Sequence, residues 1–434
     1  MKRFLSICIL LTSVCLMDAK VSLVPIFADH MVLQQQTDAA IWGHATPKAK
    51  VSISTTWSES VTVVKADADG RWFARVATPV AGGPYEISFN DGEELVLKNI
   101  LIGEVWICMG QSNMTMPMKG FTGQPVEGAA ELIMGAKPSV QIRSCKVKST
   151  KSLTVQDECP ATWYEHTPTG VSKASAVAYF FAKNLHETLE VPVGVITAAW
   201  GGTMIEAWIK EEVLRKDFAD EFSFSHLESQ VWPPEEKGTW RKENKNLCSV
   251  LYNGMLHSIA PYQHEGKDRP EAAYMMWAQA QTLEMIPYSG MATIHDVGDL
   301  AAIHPPKKKQ VGDRLAYLAL EDDYGLDYID AKAPFPIKFE FKEGQVIVTF
   351  ATGKMGVSPI HTDLSGFELA GEDKVFYPAV GRVLGAPRTS IMVYNCPEVP
   401  HPVAVRYGMR NYSEASLFNN FGIPVTPFRS DDWE

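Results

Sequence analysis

What the chain lacks narrows its class. Cysteine is sparse: of seven, Cys8 and Cys15 lie near the N-terminus, leaving Cys108, Cys145, Cys159, Cys248 and Cys396. That odd set is no disulfide framework, and a chain of 434 residues is long enough to bury a sizeable core without one. Cys145 and Cys159 alone are spaced to close a small loop. No CxxC or HExxH pattern occurs, so a structural or catalytic metal is not indicated. Positive charge is also short. Lys and Arg number 40 against 51 Asp and Glu, a net charge of −11, which removes any general electrostatic pull toward nucleic acid. There is no low-complexity tract, no long internal repeat, and no apolar run with the length of a membrane helix.

Residues 1–19 read as a secretory leader. Lys2 and Arg3 form a basic start, Phe4 to Met17 is mostly apolar, and Ala19 is a small residue suited to cleavage. Cys15 would suit lipid attachment, but Val14 before it is bulky for that processing. Loss of the leader removes Lys2, Arg3 and Asp18, moving the net charge by one unit to −12. The expected location is secreted or periplasmic. Eleven Trp and fourteen Tyr suit sugar contacts, although β-rich domains place most such residues in strands and cores.

Three regions follow. Residues 20–99 carry short strand patterns at Val51–Trp57, Val61–Val64, Trp72–Val76, Tyr85–Phe89 and Leu95–Leu97. Turn signals at Asp69-Gly70, Gly82-Gly83-Pro84 and Asp91-Gly92 separate several of them, which predicts a small β-sandwich. The Asp67-Ala68-Asp69-Gly70 run is read as a hairpin turn rather than a calcium loop. Over 100–332 strands and helices alternate: strands at Leu101–Met109, Val193–Ala199 and Met291–Val297, helices at Ala174–Leu189 and Val311–Leu320. This predicts an α/β domain with a parallel, helix-flanked sheet, whose ligands bind at the carboxyl ends of strands. Residues 333–434 are β-like again, with a hairpin at Ile337–Phe341 and Val346–Phe350 and later runs at Ser390–Tyr394 and Val403–Tyr407. Asp217–Asn246 is polar, contains Pro-Pro and reads as a surface excursion.

The most informative stretch is Gly103–Met118, GEVWICMGQSNMTMPM. An apolar strand stops at Gly110 and Ser112 follows at the start of a helix. Free backbone N–H groups point outward there and favour developing negative charge. A serine hydroxyl needs a base, and histidine is the usual one. His304, in Asp296-Val-Gly-Asp299-Leu-Ala-Ala-Ile-His304-Pro-Pro, lies in a loop after a predicted strand, ahead of a helix that Pro305 or Pro306 can start. Gly201-Gly202 ends another strand. The layout suggests a serine hydrolase. The bland readings are a helix cap at Ser112 or Asn113, an ordinary loop histidine and a plain turn.

Several long motifs, in order, resemble the sialate O-acetylesterase family of SGNH-hydrolase carbohydrate esterases. They are VPIFADHMVLQQQ (Val24–Gln36), GEVWICMGQSNM (Gly103–Met114), VPVGVITAAWGGTMIEAWI (Val191–Ile209), LYNGMLHSIAPYQ (Leu251–Gln263), DVGDLAAIHPPKKKQVGDRLA (Asp296–Ala316), GFELAGEDKVFYPA (Gly366–Ala379) and PFRSDDW (Pro427–Trp433). The resemblance implies a flavodoxin-like parallel sheet with helices on both faces, flanked by β-sandwich-like N- and C-terminal regions. It also implies hydrolysis of O-acetyl esters on a sugar, with O-acetylated sialic acid as the expected substrate. Ser112 would be the nucleophile and His304 the base. The Ser112 N–H and the Gly201-Gly202 turn would bind the oxyanion, with Gln111 and Asn113 beside them. No metal, organic cofactor, nucleic acid or membrane span is implied.

The chain departs from the family twice. The aspartate expected three residues before the histidine is Ala301. Asp299 is the nearest replacement, Asp296 the next, and a backbone carbonyl with a bare Ser–His dyad the third. Second, the sequence passes from Gln263 to His264 without the strand and GESN-type motif whose Asn donates to the oxyanion. Loss of one such donor costs roughly a hundredfold or more in rate, and loss of a strand leaves apolar sheet edges unpaired. The missing segment makes a catalytically impaired glycan-binding protein one alternative; the resemblance to SGNH esterases leaves an acetylxylan-type polysaccharide acetylesterase as another. Sialate selectivity calls for a cationic clamp, for which Arg143, Arg241, Arg269 and Arg314 are available.

Overall fold

The structure is a computed structural model. It describes residues 20–235, 243–256, 279–281, 283, 286, 288–299, 302, 304–394, 396–410 and 414–433. The leader expected over residues 1–19 and the Gln263–His264 junction lie outside the described residues.

The N-terminal strands are β1 (Ser22–Leu23), β2 (Val32–Gln34), β3 (Asp38–His44), β4 (Lys50–Thr55), β5 (Ser58–Lys65), β6 (Arg71–Ala77), β7 (Gly82–Asn90) and β8 (Glu94–Gly110). Strict alternation gives β6 one buried and one exposed face, the pattern of a half-covered antiparallel strand. Strands β1, β3 and β6 form a small sheet, and β4, β5 and β7 join β8. β8 is 17 residues long. Its first half pairs antiparallel with β7 and its second half runs parallel beside β11 (Val193–Ala199). The boundary expected near residue 99 therefore lies inside one strand, shared by the N-terminal layer and the central sheet.

Beyond β8 the sheet continues through β11 to β9 (Ile142–Val147) and β10 (Ala161–Tyr164). β11 is parallel to both neighbours and buried at every residue, as expected of a central strand covered on both faces. One face carries α4 (Ala176–Leu189) and α7 (Lys308–Asp322). These follow α1 (Ser112–Thr115), α2 (Ala129–Met134), α3 (Pro168–Lys173), α5 (Glu211–Phe218) and α6 (Ser225–Ser229) in the chain. Ser175 starts α4 by accepting the Ala178 N–H, and Thr167 caps α3 ahead of Pro168, both familiar N-terminal devices. Phe181, Ala182 and Leu185 of α4 pack with Val193 and Val195 of β11 and Ala316 and Leu320 of α7. Each large apolar side chain buried in this way contributes about 1.5–3 kcal/mol. On the opposite face Ile196 and Ala198 pack with Ala207 and Trp208 of a 3₁₀ turn and with Val250 to Tyr252, Met255 and Leu256.

C-terminal to α7 comes an antiparallel sheet of seven strands, β12 (Phe335–Lys342), β13 (Gln345–Ala351), β17 (Ser390–Tyr394), β16 (Phe376–Val383), β15 (Leu364–Ala370), β18 (Ala404–Tyr407) and β20 (Phe428–Arg429) in spatial order. A bridge pairs β14 (Val357–Ser358) with β19 (Phe418–Asn419). The fold is thus mixed α/β, with a helix-covered central sheet and β-rich flanks.

Two expectations fail. Met291–Val297 forms no strand: among the described residues it has no ladder partner, and its end is a turn. A strand needs a neighbour, and from Glu104 to Gly110 β8 pairs only with β11 among the described strands. On its open side Ile107 and Met109 are exposed, and a cavity of about 700 Å³ runs past Trp106, Cys108, Met114, Phe181 and Leu315. Among the described residues this is an unpaired apolar edge. Cys145 and Cys159 form no disulfide; both are buried free thiols. Burial pushes the Cys145 thiol well above its ordinary pKa, which makes it inert.

Candidate active site

Ser112 stands where β8 ends and α1 begins. The neighbouring strand β11 ends at Ala199, and the turn after it folds back onto the serine. The Trp200 N–H donates to Gly110 O at 3.1 Å. A Cβ added at Gly201 would lie 3.3 Å from Ser112 Cβ and 3.5 Å from its Cα, so only glycine lets the turn come this close without displacing the serine. Gly202 has φ +68°, a left-handed conformation that glycine adopts at little cost. The turn is held from several sides. The Gln111 amide donates to Thr203 O, Thr203 Oγ1 donates to Trp200 O at 2.8 Å, and Lys245 Nζ donates to Gly201 O at 3.2 Å. Asn246 Oδ1 accepts the Met204 N–H at 2.9 Å. Gln111 thus ties the serine turn to the glycine turn.

His304 lies on the segment leading into α7. Its Nδ1 faces Gln124 Oε1 at 2.6 Å. That oxygen can only accept, so Nδ1 carries the proton and Nε2 is the basic nitrogen. Phe121 packs edge-on against the imidazole, ring centroids 5.3 Å apart. Phe121 and Gln124 are locked to each other by a reciprocal pair of backbone hydrogen bonds, both 3.0 Å. His304 Nε2 is buried and has no hydrogen-bond partner. Burial, and then the Lys308 charge, hold the imidazole below its ordinary pKa, so it is neutral at pH 7.

No hydrogen bond joins Ser112 Oγ to His304 Nε2. The two segments meet instead through their neighbours: Lys308 Nζ donates to Asn113 Oδ1 at 2.5 Å, and the Glu127 N–H donates to Pro306 O at 3.1 Å.

The expected acids lie elsewhere. Asp299 Oδ1 accepts the Ala302 N–H at 3.0 Å, turning the loop. Asp296 forms a two-pronged pair with Arg314, both contacts 2.6 Å. Gln124 occupies the place on Nδ1 that an aspartate was expected to take. Sequence reading missed it because it lies 180 residues from its partner and carries no charge; a polar residue between Gly123 and Pro125 was its only local signal. Asn253 is buried and donates to Ser152 O and Leu153 O. Among the described residues no group of three or more His, Cys, Asp or Glu could hold a metal, and no helix is long and apolar enough to cross a membrane.

Residues 102–230 match the family described as carbohydrate esterase, sialic acid-specific acetylesterase. The human sialate O-acetylesterase is 30% identical over 244 residues, covering 52% of this chain and 46% of its own length. The mouse sialate O-acetylesterase is 31% identical over 267 residues, covering 53% and 48%. Over about half of its length the chain is thus similar to sialate O-acetylesterases. It spans about half the length of these curated relatives. A crystal structure of a carbohydrate acetylesterase from Xanthomonas citri superposes on 95% of this chain and 100% of its own, with TM-score 0.80 and 28% identity. The matched segment contains Ser112 and the Gly201-Gly202 turn, while His304 lies beyond it.

Proposed function

We propose that the chain is a carbohydrate O-acetylesterase that removes acetyl groups from O-acetylated sialic acid by a Ser–His mechanism. The observation that carries this reading is the imidazole of His304. Its Nδ1 is fixed by Gln124 and its Nε2 is unpartnered, on a segment that grips Asn113, the residue after Ser112. Ser112 Oγ attacks the acetyl carbonyl while His304 Nε2 takes its proton. The N–H groups of Ser112 and Gly201 receive the oxyanion. Collapse breaks the ester C–O bond, and His304 returns the proton to the departing sugar oxygen. Water, deprotonated by the same nitrogen, then releases acetate from the acetyl-serine. Gln124 acts as the orienting group; an amide fixes the tautomer but adds no negative charge to the imidazolium. We read residues 1–19 as an export leader, so the enzyme acts outside the cytoplasm.

A second reading, an acetylesterase for uncharged polysaccharide, is favoured by where the arginines stand. Arg143 is buried against Glu165 at 3.3 Å and Arg314 is held by Asp296, so neither is available to clamp a sugar carboxylate. Arg241 and Arg269 lie outside the described residues.

Acetate release from O-acetylated sialoglycan and from acetylated xylan, compared with Ser112→Ala, tests both readings. Release from sialoglycan that vanishes in the variant supports the first, and release from xylan alone the second. A folded protein that releases acetate from neither is no esterase and leaves glycan binding as its role.

A further inference from the structure

Lys308, the first residue of α7, is 2% exposed. Ammonium groups are rarely buried unless a carboxylate accompanies them. Here Nζ meets a neutral acceptor, Asn113 Oδ1. The charged groups around it pair with each other: Lys309 with Asp313 on its own helix, Arg314 of that helix with Asp296 on the preceding segment, and Lys183 with Glu187 on α4. Glu127, from the preceding loop, meets this segment through its backbone N–H. Among the described residues the remaining titratable neighbour is His304, four residues earlier. The fold therefore keeps an uncompensated positive charge against the residue that follows the nucleophile.

We propose that Lys308 is a positioning residue of this site: its buried ammonium holds Asn113, and with it the Ser112 backbone, and supplies positive potential where the oxyanion develops. The inference rests on the Ser112–His304 reading above. A negative charge appears only in the tetrahedral intermediate, so an unpaired cation nearby favours that state over the neutral ester. The same charge disfavours protonation of His304 and keeps the base ready. Burial also pushes Lys308 itself down to about 8, so the charge is lost as the pH rises through that value.

The test is kcat/KM against pH with p-nitrophenyl acetate, for the wild type, Ser112→Ala, Lys308→Met and Asn113→Asp. The wild-type profile should rise through a limb below pH 6.5 and fall again near pH 8. Lys308→Met should lower kcat/KM at pH 7 by about tenfold or more, raise the acid limb and abolish the alkaline one. Should Lys308→Met not fold, the near-isosteric Asn113→Asp is decisive: its carboxylate pairs with the ammonium, so the alkaline limb should move to higher pH. A merely structural lysine would move neither limb. Unmoved limbs in folded Lys308→Met or in Asn113→Asp, with Ser112→Ala inactive, overturn the role of Lys308 alone. Hydrolysis that survives in Ser112→Ala overturns the nucleophile assignment and this proposal with it.

Discussion

At the scale of single residues, the glutamine on His304 is the most consequential finding. Gln124→Ala frees the ring to rotate and change tautomer, and should cut kcat by about ten- to a hundredfold with little change in KM. Gln124→Glu puts a carboxylate on Nδ1. An opposite charge at hydrogen-bond distance raises an imidazole pKa, so the acid limb of the activity profile should move upward; a limb that stays put would overturn the proposed role of His304 with Gln124 on its Nδ1. His295 offers a stability counterpart. Both its ring nitrogens are buried without partners, and burial pushes it down to about 4. Protonation thus favours the unfolded chain, whose imidazole titrates near 6.5. The protein should hold its full stability above pH 6.5 and lose up to about 3 kcal/mol as the pH falls toward 4. His295→Phe should flatten that dependence in urea titrations.

Among the elements, the strands and helices that form local amphipathic patterns were legible in sequence. The limits of β11 and β17 coincide with the expected runs, and α4 starts where Ser175 can cap it. The serine and glycine turns at the ends of β8 and β11 were also readable, because both lie where an apolar run meets glycine. Met291–Val297 was misread because an apolar run becomes a strand only beside another strand, and sequence does not say whether one is there. Gln124 and Lys308 were not read at all, since their roles arise from contacts 180 and 195 residues away. Two glycines carry the element-scale predictions. A Cβ at Gly312 of α7 would lie 2.6 Å from Phe180 Cβ and 2.8 Å from Val177 O, so α4 and α7 pack backbone to backbone there. Gly312→Val should force them apart and cost about 1–3 kcal/mol, read as a fall in Tm. Gly201→Ala should leave Tm nearly unchanged but reduce kcat by tenfold or more, because the new methyl presses on Ser112.

For the whole molecule, the C-terminal region is tied to the site segment by buried polar contacts. Arg314 of α7 reaches Asp296, Thr293 O and Gly422 O, and Thr293 bonds Thr426 at 3.0 Å. Asp296→Asn leaves the guanidinium buried without its counter-charge and should destabilise the chain by about 3–5 kcal/mol, lowering the urea midpoint. The paired replacement Asp296→Leu with Arg314→Met should recover much of that loss.

β8 begins among the N-terminal strands and ends two residues before Ser112. Amides along such a shared strand exchange with deuterium through the same opening event, since neither sheet can release its half without unzipping the other's. The N-terminal layer is therefore no detachable module. Trimming the chain at residue 100 would sever the strand that presents Ser112, and protection should be lost across residues 94–110 together.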